Sequence, residues 1–146
     1  MRKVSILTFI LFLVGFMLNS CNTANNEKDC AKPLNPNGDS ELALLMRDMA
    51  KHLETESVRL KNGEIQGDYP FSFEKIRNAK PSDPKSISGN FDEFAMMYLA
   101  ALKDYHKSNA GRSAITTYNN LVKSCVNCHQ NECPGPIKKI EKNYIN

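Results

Sequence analysis

Apolar residues recur at helical spacing in the segment that follows Ser40. Six of them are separated by steps that place most of them on one face of a helix: Leu42, Leu45, Met46, Met49, Leu53 and Leu60. Ser40 is a typical N-cap residue, and Gly63 supplies a stop signal. The pattern predicts a long amphipathic helix between these two residues.

Three later segments extend the helical pattern. "DYPFSFEKIRNA" predicts a short second helix, and the proline-containing "KPSDPKSISGN" predicts a loop. A third helix is expected from Asn90, its predicted cap, to Gly111, and a fourth from Ser113. The apolar positions are Phe73 and Ile76 in the second helix, Phe91, Phe94, Ala95, Tyr98, Leu102 and Tyr105 in the third, and Ile115, Tyr118, Val122 and Cys125, with His129, in the fourth. No useful stretch alternates with a period of two, so an all-α fold, an antiparallel four-helix bundle, is predicted.

An uncharged apolar run, "VSILTFILFLVGFML", follows Arg2 and Lys3 at the N-terminus. Its length is typical of a signal peptide rather than a membrane span. The run leads into "LNSC", which resembles the lipobox of bacterial lipoproteins and predicts lipidation of Cys21. We therefore expect a signal peptide in residues 1–20, a tether in the Asn- and Pro-rich residues 21–39, and a folded domain in residues 40–146 on the extracytoplasmic, periplasmic side, anchored to the membrane.

The net charge and the cysteines limit the range of candidate functions. The net charge of +3 falls to about +1 without Arg2 and Lys3, which gives no field strong enough to favour nucleic acid as a partner. The four cysteines other than Cys21 lie in a predicted oxidising compartment, where a thiol is expected to have a partner.

The segment "CVNCH" contains Cys125, Cys128 and His129 on the predicted fourth helix. Residues three and four apart share a helix face, so two thioethers and an imidazole can hold one flat macrocycle against it. C-x-x-C-H is the attachment signature of c-type haem. Two alternatives are a structural zinc site, with Cys133 and either His129 or Cys30 as further ligands, and a redox-active dithiol.

An all-α bundle of this size with C-x-x-C-H on its last helix resembles the cytochrome c′ superfamily. The resemblance covers roughly residues 40–130 and implies one covalent haem c, with Cys125 and Cys128 as thioether residues and His129 as the proximal iron ligand. Low-spin members carry a distal methionine on the first helix. The resemblance therefore makes Met46 the candidate distal ligand and Met49 the second choice.

Other polar residues have weaker assignments. His52 and His106 have charged neighbours and are expected on the surface. Arg47 is either a partner of a haem propionate or a solvated helix residue. Cys30 and Cys133 remain as a candidate disulfide, which would close a long loop.

The resulting expectation is a lipid-anchored mono-haem cytochrome that transfers electrons between redox partner proteins and is not an enzyme. The main alternative is a five-coordinate binder of NO or CO. A homodimer is left open by the resemblance, because members of this family often pair through their first two helices.

Overall fold

The computed structural model describes residues 38–146, which form four α-helices and three 3₁₀ helices. The α-helices are α1 (Glu41–Lys61), α2 (Phe91–Lys107), α3 (Arg112–Glu132) and the single-turn α4 (Ile137–Ile140); the 3₁₀ helices are Phe71–Arg77, Pro84–Ser86 and Glu141–Asn143. No strand occurs within the described range, so the predicted all-α class is confirmed there. Three of these helices, α1, α2 and α3, are long, and the antiparallel four-helix bundle stays a prediction.

The predicted boundaries of the first helix are close to those observed. Ser40 Oγ accepts a hydrogen bond from the Ala43 amide at 3.2 Å, which confirms the predicted N-cap. The helix ends at Lys61, and Gly63 follows with a φ of +74°, a left-handed conformation that favours glycine. Gly111 has a different role from the predicted one. It precedes α3 with a φ of +86°, whereas α2 already ends at Lys107.

The predicted second helix is a 3₁₀ helix. With three residues per turn, a 3₁₀ helix places residues i and i+3 on the same side. Phe73 and Ile76 have this spacing, and both are buried in the core. The segment follows Pro70 and precedes Pro81, which leaves little room for a longer α-helix. The sequence therefore indicated its apolar face correctly but not its helix type.

The long helices are arranged with α1 and α2 both antiparallel to α3. The Tyr118 hydroxyl of α3 donates to the Leu53 carbonyl of α1 at 2.8 Å, and the Tyr105 hydroxyl of α2 donates to Glu56 of α1 at 2.6 Å. Beyond α1, Gln66 donates to Ser108 Oγ at 2.8 Å, next to the end of α2. Because α1 and α2 run in the same direction, the segment 62–90 must cross the length of the domain.

The core is formed by one face of each long helix. Its fully enclosed members are Leu102, Tyr105, Ala114, Tyr118, Leu121 and Val122. The predicted apolar faces supply most of the buried residues, and Met46 and Cys125 are partly buried against them. Among residues 38–146, no helix is long and apolar enough to cross a membrane. Most of the predicted tether and all of the predicted signal peptide lie outside the described residues and stay predictions.

Two predicted surface residues are half-buried. His52 and His106 stack on each other, with ring centroids 5.5 Å apart, and His52 also meets the edge of Phe73. Their charged sequence neighbours suggested exposure. The prediction was wrong because residues from the segment between α1 and α2 pack against both rings, a long-range contact that helical spacing does not show.

Candidate functional site

The last turns of α3 carry the C-x-x-C-H segment. Cys125 is partly buried against the core, Cys128 is buried, and His129 is partly exposed. The intervening Val126 is also buried, which fixes the orientation of this part of the helix. The two thiols therefore lie one helical turn apart at the edge of the core, and the imidazole follows directly.

The His129 ring is held by the chain that leaves α3. Its Nδ1 lies 2.8 Å from the Cys133 carbonyl oxygen. A carbonyl oxygen only accepts, so Nδ1 carries the proton in this bond, and Nε2 of the neutral ring keeps its lone pair. Metal-binding histidines commonly donate their other ring nitrogen in this way, which fixes the tautomer and the ring orientation. The ring is thus set for coordination through Nε2.

Pro134 explains why the Cys133 carbonyl is available. A residue before proline is disfavoured in the helical region, and Cys133 has φ −157° and ψ 86°. The helix ends there, with the Cys133 amide donating to the His129 carbonyl at 3.1 Å. The pairing of Cys133 with a following proline is the local sequence signal for this helix end.

The two motif thiols are held in their protonated form. Burial raises the pKa of Cys125 to about 12, with the neighbouring Cys128 adding to the effect. Burial also raises the pKa of Cys128 to about 11, with Glu132 as the second cause. A redox-active dithiol requires a thiolate, which forms more readily when the pKa is lowered. The surroundings of these thiols therefore do not favour a redox-active dithiol.

A zinc site finds no further support in the described part of the chain. Within residues 38–146, no three or more His, Cys, Asp or Glu side chains are grouped to hold a metal ion. Cys133 is exposed. Cys21 and Cys30 lie outside the described residues, so the lipidation site and the Cys30–Cys133 disulfide stay predictions.

The two candidate methionines differ in burial. Met49 is 5% exposed and belongs to the core, whereas Met46 is partly buried and packs against the core. The Tyr118–Leu53 hydrogen bond sets the antiparallel register of α3 and α1. Cys125 lies seven residues after Tyr118, and Met46 lies seven residues before Leu53. At 1.5 Å per residue, each is roughly 10 Å from the hydrogen bond in the same direction, so the two residues reach a similar level. This register is compatible with the preference for Met46.

Arg47 forms contacts at the start of the domain. Its guanidinium lies 2.6 Å from Asp39 Oδ1 and donates to the Gly38 carbonyl at 3.1 Å. The side chain is partly exposed, so this ion pair is worth little stability. The predicted propionate contact stays a prediction.

The C-terminal segment folds back along α3, an arrangement that the sequence analysis did not predict. The Asn119 side chain donates to the Ile145 carbonyl at 2.7 Å and accepts from the Ile145 amide at 3.0 Å. Tyr144 packs against the core, and its pKa is raised by burial, with smaller effects from Glu141 and Cys125. The segment after the motif therefore covers one side of α3, and no short-range sequence signal marks Asn119 as its anchor.

Comparisons with known proteins identify no relative. No family model, no curated protein and no solved structure matches the chain. The resemblance to the cytochrome c′ superfamily therefore rests on the motif, its position and the helical class.

Proposed function

We propose that the protein is a mono-haem c-type cytochrome that transfers electrons between extracytoplasmic partners. The observation that carries the proposal is the hydrogen bond from His129 Nδ1 to the Cys133 carbonyl. It leaves Nε2 as the free coordinating nitrogen, next to two thiols one helical turn apart. The donor set fits covalent haem c: Cys125 and Cys128 would form the thioethers, and His129 would be the proximal ligand.

The surrounding chain supplies what an electron-transfer site requires. A haem bound there would supply an iron that cycles between its ferric and ferrous forms. The Cys133 carbonyl orients the His129 ring. The ring would therefore not need to reorient when the charge of the bound iron changes. Val122 and Val126 bury apolar surface beside the motif and limit access of water from the core side.

The sixth coordination position of the proposed haem iron decides between electron transfer and gas binding. We propose Met46 as the distal ligand, with Met49 as the second choice, because a thioether is a suitable soft ligand for haem iron. The absence of such a ligand would instead define a five-coordinate site of the kind that binds NO or CO. A cytochrome c′-like arrangement of helices around the haem is part of the same proposal.

Absorption spectroscopy tests the proposal. The protein should be produced in a host that attaches haem to C-x-x-C-H motifs, and the haem should resist extraction by acidified organic solvent. We expect low-spin bands that Met46→Ala converts to high-spin bands. Met97→Ala is the matched control, because Met97 is 54% exposed on α2 and should leave the spectrum unchanged.

The outcomes separate the alternatives. High-spin bands in the wild-type protein would favour gas binding, and low-spin bands in both Met46→Ala and Met49→Ala would contradict a methionine ligand from this pair. A protein without covalent haem in that host would contradict the cytochrome proposal.

The localisation belongs to the same proposal. We infer that residues 1–20 direct export and that a lipid on Cys21 anchors the mature chain on the periplasmic side. Cys21→Ser should move the protein from the membrane fraction to the soluble fraction after lysis. A membrane fraction equal to that of the wild type would contradict the lipid anchor.

A further inference from the structure

A pair of stacked histidines outside the C-x-x-C-H segment joins the second half of α1 to the last turn of α2. His52 of α1 and His106 of α2 stack with an interplanar angle of 29° and a centroid distance of 5.5 Å. Phe73 meets His52 edge-on at 5.4 Å, and Tyr69 meets His106 edge-on at 5.5 Å. The proposed electron-transfer function uses none of these residues.

The cluster fastens the segment between α1 and α2 to both helices. His106 Nδ1 lies 3.1 Å from the Gly67 carbonyl oxygen, and the Gly67 amide donates to Glu56 Oε2 at 3.1 Å. A Cβ at position 67 would lie 2.9 Å from Glu56 Oε1, so only glycine fits this close approach without movement. We call Glu56, Gly67 and His106 the Gly67 clamp.

Each of the two imidazole rings has one buried nitrogen. The Nε2 atoms of His52 and His106 are buried and have no hydrogen-bond partner in the structure. The Gly67 carbonyl requires the proton of His106 on Nδ1, so the Nε2 of a neutral His106 carries a bare lone pair. Adding a proton to a buried nitrogen creates a charged donor that needs an acceptor or water. The closed arrangement offers neither at Nε2.

Charged and titratable groups around the pair come from three elements. Glu56 of α1 faces both histidines, Asp68 of the connecting segment acts on His106, and His106 acts on His52. Arg59 lies 3.5 Å from Glu56 and offsets part of its charge. Tyr69 and Tyr105 contact His106 through their rings. One positive charge can be balanced by Glu56, whereas two stacked imidazolium rings repel each other.

We propose that the stacked His52–His106 pair is an acid-sensitive latch that releases the Gly67 segment, residues 62–70, from α1 and α2 when the pair becomes protonated. At neutral pH both rings are uncharged, and the Gly67 clamp is closed. Protonation of His106 places a proton on its buried Nε2, which then needs an acceptor or water, and lifting the Gly67 segment lets water reach it. The Gly67 segment also carries Gln66, so its release exposes the end of α2.

The direction of titration agrees with this mechanism. Burial is the largest cause that lowers the pKa of both His52 and His106 from the ordinary value of 6.5, while Glu56 acts in the opposite direction on each. An opened state with solvated rings binds protons more readily than the closed state. Acid therefore shifts the population toward opening. The latch does not depend on the cytochrome proposal, since it uses different residues.

Hydrogen exchange of the full mature chain tests the latch. Exchange of backbone amides in residues 62–70 is measured at pH 7 and pH 5 and corrected for the intrinsic pH dependence of exchange. We expect the protection of the Gly67 amide to fall by about tenfold or more at pH 5, because local opening controls exchange. Peptides from residues 114–122 of α3 contain no histidine and serve as the internal control, with unchanged protection.

A double variant provides the matched comparison. His52→Phe keeps an aromatic ring against Phe73, and His106→Asn keeps a donor for the Gly67 carbonyl, while both lose the titrating nitrogen. Protection in the variant should be the same at both pH values. Wild-type protection that does not change between pH 7 and pH 5 would overturn the latch, as would an equal loss in the double variant.

Nuclear magnetic resonance gives a readout that does not depend on whether the variant folds. The ring nitrogens of His52 and His106 in the wild-type protein should titrate together with the Gly67 amide signal. Titration of both rings with an unchanged Gly67 amide signal would contradict the latch.

Discussion

Two histidines in this protein make the same kind of hydrogen bond but differ in the exposure of their other ring nitrogen. His129 and His106 each bring Nδ1 to a backbone carbonyl, at 2.8 Å from Cys133 and 3.1 Å from Gly67. At the partly exposed His129 the opposite nitrogen is left for coordination, whereas at His106 it is buried without a partner. The same local bond thus leaves the Nε2 of His129 for the proposed iron, whereas burial lowers the pKa of His106. The difference lies in the packing around Nε2.

The largest expected effect concerns the thiols beside His129. Cys125→Ala combined with Cys128→Ala should abolish covalent haem in a haem-attaching host, because no thioether can form at the motif. Cys133→Ala is the matched control and should retain the haem. The measurement is haem staining of the denatured protein after electrophoresis. Covalent haem in the double variant would show that the chemistry beside His129 is not the proposed one.

Loss of the carboxylate beside His106 should have the next largest effect. Glu56→Ala leaves the Tyr105 hydroxyl and the Gly67 amide without their acceptor, so we expect the free energy of unfolding to fall by about 3 kcal/mol. Denaturant unfolding at pH 7 measures it. Tyr105→Phe removes only one of these bonds and should cost about 1–2 kcal/mol. Equal losses in the two variants would mean that the Glu56–Gly67 bond adds nothing to the clamp.

The pH dependence of stability tests the effect of burial on His52 and His106. Because burial lowers the pKa of His52 and His106 in the folded state, the unfolded chain binds more protons as the pH falls below about 6.5. The free energy of unfolding should therefore decrease with acidification in this range. The His52→Phe and His106→Asn double variant should show a shallower slope. A wild-type curve that rises with acidification would show that the buried rings are stabilised in their charged form.

The smallest expected effect concerns the turn that holds His129. Pro134→Ala removes the restriction on Cys133 and should let the carbonyl that accepts from His129 move, with a stability change of about 1 kcal/mol or less. In the haem-loaded protein, the reduction potential should shift, because this hydrogen bond tunes the ligand. The exposed Pro84→Ala exchange is a control for general effects of proline removal. Equal potentials in the wild type and Pro134→Ala would indicate that the turn does not tune His129.

The sequence by itself determined the all-α class, the apolar faces of the long helices and the local placement of the C-x-x-C-H segment. These features depend on residues three or four positions apart, and the helix presents such residues on one face whatever surrounds it. The Ser40 cap was predictable for the same reason, since its bond reaches only three residues along the chain. Asn90 was the exception: it precedes α2, but its side chain makes no capping bond.

Only the tertiary structure decided which histidine nitrogen is reachable. His106 meets Gly67 39 positions earlier in the chain, and Asn119 meets Ile145 26 positions later. Such pairings depend on how segments cross and fold back, which local spacing does not encode. His52 and His106 were expected on the surface because their sequence neighbours are charged, yet residues from a distant segment cover them. Burial, which lowers their pKa, is a property of the packed domain rather than of the residue type.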